Sequence, residues 1–263
     1  MTHNLFQVDA FTESPFKGNP AAVCLLEASK PEGWMQALAA EMNLSETAFL
    51  LPKDGDWQLR WFTPKTEVSL CGHATLASAK VLFDIHPELR DKPLTFRTLS
   101  GPLQARWLEG DIELDFPVKE PEPVEVLPVV KVALGIDLIE GVRSGDYHLF
   151  LARDDETVRR AEPDFQALAE SPVPEVIITA PSADPAFDFI SRFFAPRLGI
   201  NEDPVTGSAH CLLAPYWGVK MGKKDFTAFQ ASKRGGKLGV SLHGERVRIR
   251  GAAVVIFKAD LLV

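Results

Sequence analysis

The chain is short of the residues that staple, anchor or charge other kinds of protein. Only three cysteines occur in 263 residues, Cys24, Cys71 and Cys211. An odd number without framework spacing excludes a disulfide scaffold and fits a reducing compartment. No apolar stretch approaches the roughly 20 residues that span a bilayer. The start, MTHNLFQVDAF, lacks the basic region and apolar run of a signal peptide, so a cytoplasmic protein without membrane partners is expected. Positive charge is in deficit: 28 Lys and Arg against 36 Asp and Glu leave a net charge of −8, which argues against nucleic acid as a partner. The one basic run, Lys220 to Lys237, reads as a solvated face, with guidance of an anionic substrate as its alternative.

Several motifs are missing as well. There is no GxGxxG for a dinucleotide, no G-x-S-x-G elbow around Ser208, and no CxxC. GVKMGKKD (Gly218 to Asp225) imitates a phosphate loop but has the wrong glycine spacing and no Ser or Thr after its lysine. Cys71, His73, His210 and Cys211 are soft or borderline ligands that invite a zinc site. Adjacent His210 and Cys211 would diverge by about 100° on a helix. Neither a metal nor an organic cofactor is expected.

What is present is globular: 46% hydrophobic and 24% charged residues, in a chain long enough for one large domain or two ordinary ones. LFQVDAF, AAVCLL, SETAFLL and WQLRWF read as strands, and residues 31–42 as a helix with Trp34, Leu38 and Met42 in register. Residues 72–83, small and apolar without Gly or Pro interruption, predict a helix buried nearly all round. LTFRTLSGPLQARWLEGDIELDF alternates like antiparallel strands. A helix near 129–134, strands at YHLFLA and EVIITA, a helix at 164–170 and a closing meander follow. Pro117 to Pro128, with four prolines among charges, is the best linker. It separates an N-terminal half, 1–116, with the last C-terminal residues as a candidate addition, from a C-terminal half, 129–263.

The two halves resemble each other. LRWFTP (Leu59 to Pro64) matches SRFFAP (Ser191 to Pro196), with Arg60 and Arg192 132 positions apart. Each block leads through a polar loop to a Gly-containing helix start. With a three-residue insertion, Cys71-Gly72-His73-Ala74 aligns with Thr206-Gly207-Ser208-Ala209. Duplication would set two helix N-termini into one cleft. A helix N-terminus offers unpaired N–H groups and positive dipole, and Gly lets a carboxylate approach closely. Acid–base groups lie at both copies: His73 beside Gly72, and Asp203 just before Thr206. Glu46, in NLSETAF, interrupts an otherwise apolar segment, where a carboxyl group could take and return a proton. The bland readings are a turn-capping Glu46, a turn-forming Asp203-Pro204 and a core-satisfying His73.

VDAFTESPFKGNPAAVCLL, EMNLSETAFL, LRWFTPKTEVSLCGHATLASA and NEDPVTGSAHCLLA resemble the PhzF family of phenazine biosynthesis, almost end to end. FQASKRGGKLGVSL is especially similar to its phenazine biosynthesis-like domain branch. The resemblance implies an α+β, diaminopimelate-epimerase-like fold, with two pseudo-symmetric β-barrel halves each around a central helix and a site between them. It implies Glu46 as the acid–base residue, His73 and Asp203 as its assistants, and Asn19, Gly72, Gly207 and Ser208 as substrate contacts. Epimerases of this fold exchange the proton between paired cysteines. Here the corresponding positions are Cys71 and Thr206, so that mechanism cannot operate. The implied reaction is a cofactor-independent isomerisation of a dihydro-hydroxyanthranilate-like carboxylated substrate, in a homodimer. An amino-acid racemase or epimerase and a non-enzymatic binding protein are the alternatives; fold alone does not choose among them.

Overall fold

The computed structural model of the protein describes residues 3–263; Met1 and Thr2 lie outside the described residues. Its strands and helices segregate into two compact units. One runs to Asp115 and resumes at Arg250–Val263; the other is Phe116–Ile249.

The first unit holds β1 (His3–Ala10), β2 (Asn19–Leu25), α1 (Glu32–Met42), β3 (Glu46–Lys53), β4 (Asp56–Phe62), β5 (Glu67–Val68), α2 (Gly72–Ile85), β6 (Leu94–Thr98), β7 (Gly101–Leu108) and the start of β8 (Asp111–Pro117). The parallel pairs β2–β3 and β4–β6 are separated by helices α1 and α2 in sequence, as parallel crossovers require; β3–β4 and β6–β7 are antiparallel. Helix α2 packs on β1, β2, β3 and β7. His73 to Ala79 are all buried, and the small residues Ala74, Ala77, Ser78 and Ala79 let strands approach on every side. Over these residues α2 shows no polar face; Lys80 and Asp84 pair at 2.9 Å only towards its end. Outside this barrel, Met35, Leu38 and Ala39 of α1 cover Cys24, Phe49 and Phe62.

The second unit repeats the plan with β9 (Glu122–Val124), α3 (Pro128–Leu134), β10 (Leu138–Ser144), β11 (Tyr147–Ala152), α4 (Asp155–Arg160), α5 (Phe165–Glu170), β12 (Glu175–Pro181), β13 (Phe189–Ala195), β14 (Ile200–Asp203), α6 (Gly207–Met221), β15 (Asp225–Gln230), β16 (Gly236–His243) and most of β17 (Arg246–Gly251). β11–β12 and β13–β15 are parallel, while β12–β13 and β15–β16 are antiparallel. After β17 the chain rejoins the first unit as β18 (Ala253–Leu261), which pairs with β1.

Two expectations change. The first strand ends at Ala10, one residue earlier than LFQVDAF suggests, because Phe11 turns the chain at φ 63°. Residues 117–128 belong to the second unit instead of forming a free linker: β9 pairs with β10, and the Val118 N–H donates to the Glu245 carbonyl at 2.9 Å. The same segment is tied down at Pro215, inside α6. This proline lacks the N–H that would bond the Cys211 carbonyl one turn back; that carbonyl instead accepts from the Lys119 N–H at 3.0 Å. Proline composition suggested a linker, whereas backbone pairing ties the segment down. Within the basic run, Lys220 and Lys223 pair with Glu140 and Asp188 at 2.9 and 2.6 Å.

The duplicated arginines carry the same device. Arg60 on β4 forks onto Glu67 on β5 at 2.6 and 2.7 Å; Arg192 on β13 forks onto Glu202 on β14 at 2.7 and 3.0 Å. Arg192 also donates to the Val158 and Ala161 carbonyls at 3.2 and 2.6 Å, and its side chain is 11% exposed against 23% for Arg60. Breaking a buried pair leaves a charge without compensation. Arg192→Leu should therefore cost about 3–5 kcal/mol in urea denaturation, and Arg60→Leu distinctly less. Equal costs would contradict this reading of the two forks.

Candidate active site

In the first unit, the turn after α1 passes through Asn43 in the left-handed region at φ 50°, and β3 then begins at Glu46. Glu46 thus stands at the strand's start instead of interrupting it. Parallel pairing places it beside Ala21 of β2. Upstream, Asn19 opens β2 and is fully buried. The preceding Gly18 has φ 63°, and a Cβ there would lie 2.1 Å from the Ala10 carbonyl oxygen, so only glycine makes this turn.

Helix α2 starts without a side-chain cap. Its N-cap, Cys71, is extended at φ −146°, ψ 110°, with Gly72 first and His73 second in the helix. The Thr75 hydroxyl donates back to the Cys71 carbonyl at 2.5 Å. His73 Nε2 approaches Glu46 Oε2 to 3.1 Å, in contact though not aligned as a hydrogen bond. On the opposite ring edge, Nδ1 lies 3.6 Å from Cys71 Sγ. All three residues are buried. Their ligand atoms lie within 4.8 Å of one another, yet the thiol and the carboxylate sit at different ring nitrogens. The arrangement is a chain through the imidazole and does not form a cage around one ion.

In the second unit, α6 also starts without a side-chain cap, at an extended N-cap, Thr206. The Thr206 hydroxyl donates to Asp203 Oδ2 at 2.5 Å, and its N–H donates to Gln230 Oε1 at 2.8 Å. Gln230 Nε2 returns a bond to the Asp203 carbonyl at 2.8 Å. His210 Nδ1 lies 2.9 Å from the Thr206 carbonyl, the same one-turn-back contact that Thr75 makes in α2. His210 is therefore a core histidine. Gly207 is buried, and half-buried Ser208 shares a 2.9 Å hydrogen bond with the Tyr147 hydroxyl.

Comparison with known proteins decides the family. The phenazine biosynthesis-like protein family, PhzC-PhzF, matches residues 8–259. The chain belongs to this family. It is 47% identical to an uncharacterized isomerase of Halalkalibacterium halodurans over the full length of both chains. A PhzF-family phenazine biosynthesis protein of Enterococcus faecalis has the same structure, with a TM-score of 0.96, 44% identity and 100% coverage of each chain. A hydroxyproline epimerase of Agrobacterium vitis, 12% identical, shares the diaminopimelate-epimerase-like α+β fold alone, with a TM-score of 0.65 over 99% of this chain and 92% of that one.

Within this PhzF-family chain, each unit gathers part of the expected set. Glu46, Gly72 and His73 meet at one helix start; Asp203, Gly207 and Ser208 surround the other. Tyr147 and Gln230 escaped the sequence reading. They lie 61 and 24 residues from the partners they hold, and no local pattern marks them. Thr206 had a signal, its alignment with Cys71.

Electrostatics separates the two histidines. Burial pulls the His73 ring toward its neutral form, but Cys71 and the Glu46 carboxylate outweigh it and hold the ring well above the usual imidazole value. Burial, and then Glu46, pushes the Cys71 thiol up to about 11. At neutral pH Cys71 is thus uncharged, and Glu46 is the charge that retains the His73 proton. Burial pulls His210 down to about 4, which the Thr206 carbonyl only partly offsets. Because the folded pKa of His73 is raised, its stabilisation is complete below the unfolded value of about 6.5 and is lost as pH rises through the folded value. The stability deficit of His73→Gln, measured in urea, should therefore be largest near pH 6 and shrink as pH is raised. A deficit that grows with pH would contradict the assignment.

Proposed function

We propose that this PhzF-family protein is a cofactor-independent isomerase that moves a proton between carbons of a small carboxylated substrate of the dihydro-hydroxyanthranilate type. The observation that carries the reading is the buried Glu46 carboxylate 3.1 Å from His73. Such a carboxylate is a base whose conjugate acid need not be released to solvent, so it can return the same proton to a different carbon.

In this reading the N–H groups of an uncapped helix start bind the substrate carboxylate, with Gly72, Gly207 and the Ser208 hydroxyl as the contacts that the family resemblance assigns. Glu46 removes a proton from the carbon flanked by unsaturation. The electron pair spreads over the conjugated system, and the fixed N–H dipoles and the positive His73 ring stabilise it. Protonated Glu46 then delivers the proton at the far end of the conjugated system, and the pair forms the new C–H bond. Asp203, tied to Thr206, assists as a second acid–base or amine-contacting group, and Asn19 completes the contacts in the first unit.

A racemase or epimerase reading rests on Cys71, whose sulfur touches the other edge of His73 at 3.6 Å. Its partner position carries Thr206, which has no acidity near neutral pH, so inversion would need Glu46 opposite a different acid. Proton NMR in D₂O with dihydro-hydroxyanthranilate and a panel of amino acids separates the readings. The isomerase reading expects double-bond migration, with Glu46→Gln slower by about 10²–10⁴-fold. Exchange at an amino-acid α-carbon with loss of optical activity would favour the epimerase. Unchanged turnover in Glu46→Gln would remove Glu46 from the mechanism.

A further inference from the structure

The strand registers show what duplication did to the catalytic carboxylate. Glu46 opens β3 three residues before Phe49, the residue opposite Arg60; Glu175 opens β12 three residues before Ile178, the residue opposite Arg192. Glu175 is therefore the second unit's counterpart of Glu46, as Ser208 is of His73. The neighbouring strands complete the equivalence, pairing Ala21 with Glu46 and Tyr147 with Glu175. Where the first unit has a methyl group, the second has a phenol. Ala21 cannot intervene, and the first carboxylate reaches its helix residue directly. Tyr147 does intervene, and it takes Ser208 at 2.9 Å.

We propose that Tyr147 is a positioning residue for a carboxylate subsite at the start of α6: it fixes the Ser208 hydroxyl as a donor, with Lys119 as the cation that gives the subsite its preference for an anion. This rests on the isomerase reading only in taking a carboxylate as the ligand. Lys119 is placed by two features. Pro215 leaves the Cys211 carbonyl for the Lys119 N–H at 3.0 Å, and Lys119 Nζ lies 4.3 Å from the Tyr147 ring centroid. Phe193 also packs on this ring, at 5.9 Å between centroids. A phenol packed in this way has little freedom, so its hydroxyl is an aimed group. Burial, and then the Glu175 carboxylate, holds Tyr147 above the usual phenol range, which keeps its single proton in place. When that proton goes to Ser208 Oγ, the Ser208 proton is left to point outward, and an ionised carboxylate is the acceptor it suits. The second unit thus converts the acid–base station of the first into a holding station.

The test is calorimetric titration of anthranilate, a non-reacting aromatic carboxylate, with aniline as the ring lacking the carboxylate. Tyr147→Phe keeps the ring packing and removes one hydroxyl. It should weaken anthranilate binding about tenfold, the loss expected for one hydrogen bond to a charged acceptor, and leave aniline unchanged. In a Ser208→Ala background the same change should have no further effect. Lys119→Met should weaken anthranilate and flatten its salt dependence. Additive effects of Tyr147→Phe and Ser208→Ala, equal losses for both probes, or no anthranilate binding by the wild type would each overturn the proposal. Because binding is read and not turnover, such a failure leaves the proton transfer by Glu46 standing, and a failure of proton transfer leaves the subsite standing.

Discussion

An arginine fork closed on a glutamate holds each of the two chemically important loops of this chain. Arg60 and Arg192 sit on the last long strand before each central helix, and their partners, Glu67 and Glu202, each precede a helix N-cap by four residues. A bidentate pair constrains both distance and plane, so the turn from strand to helix has one geometry. Freed of a side-chain cap, each helix start presents its N–H groups to whatever approaches. The uncapped start has a cost in helix stability, and the forks and the buried cores of each barrel offset it.

From a shared plan the two units have diverged in their chemistry. The first places a buried carboxylate and a buried imidazole in contact. The second has Ser208 at the position of the imidazole, ties its N-cap threonine to Asp203 and Gln230, and pairs Tyr147 with the counterpart glutamate on the next strand. Neutral hydroxyls hold a ligand without competing for its proton. On the proposed reading, proton transfer and ligand holding fall to different copies of one repeated arrangement.

Much of this was legible in the residues. The helical residues 72–83 were visible because small apolar side chains without breakers have few other uses, and the duplication showed in LRWFTP and SRFFAP because the fork arginine must recur. Glu46 stood out as a charge in apolar company. Less visible were features that depend on long-range pairing. The tie between Lys119 and Cys211 follows from a proline more than 90 residues away from Lys119 in sequence, and composition made the same segment look like a linker. The last C-terminal residues read as a candidate addition to the first half, but their strand pattern did not say that β18 would pair with β1. Gln230 and Tyr147 are ordinary strand residues until the fold brings them to α6.

The central claim is that the Glu46 carboxylate, in contact with the buried His73 ring, helps to hold that ring protonated. ¹⁵N NMR of the His73 ring, followed against pH in the wild type and in Glu46→Gln, tests it most directly. The account predicts an imidazolium with both nitrogens protonated at neutral pH in the wild type, and a clear fall in the ring's pKa once the Glu46 charge is removed. A neutral His73 ring at pH 7, titrating at the same pH in both proteins, would contradict it.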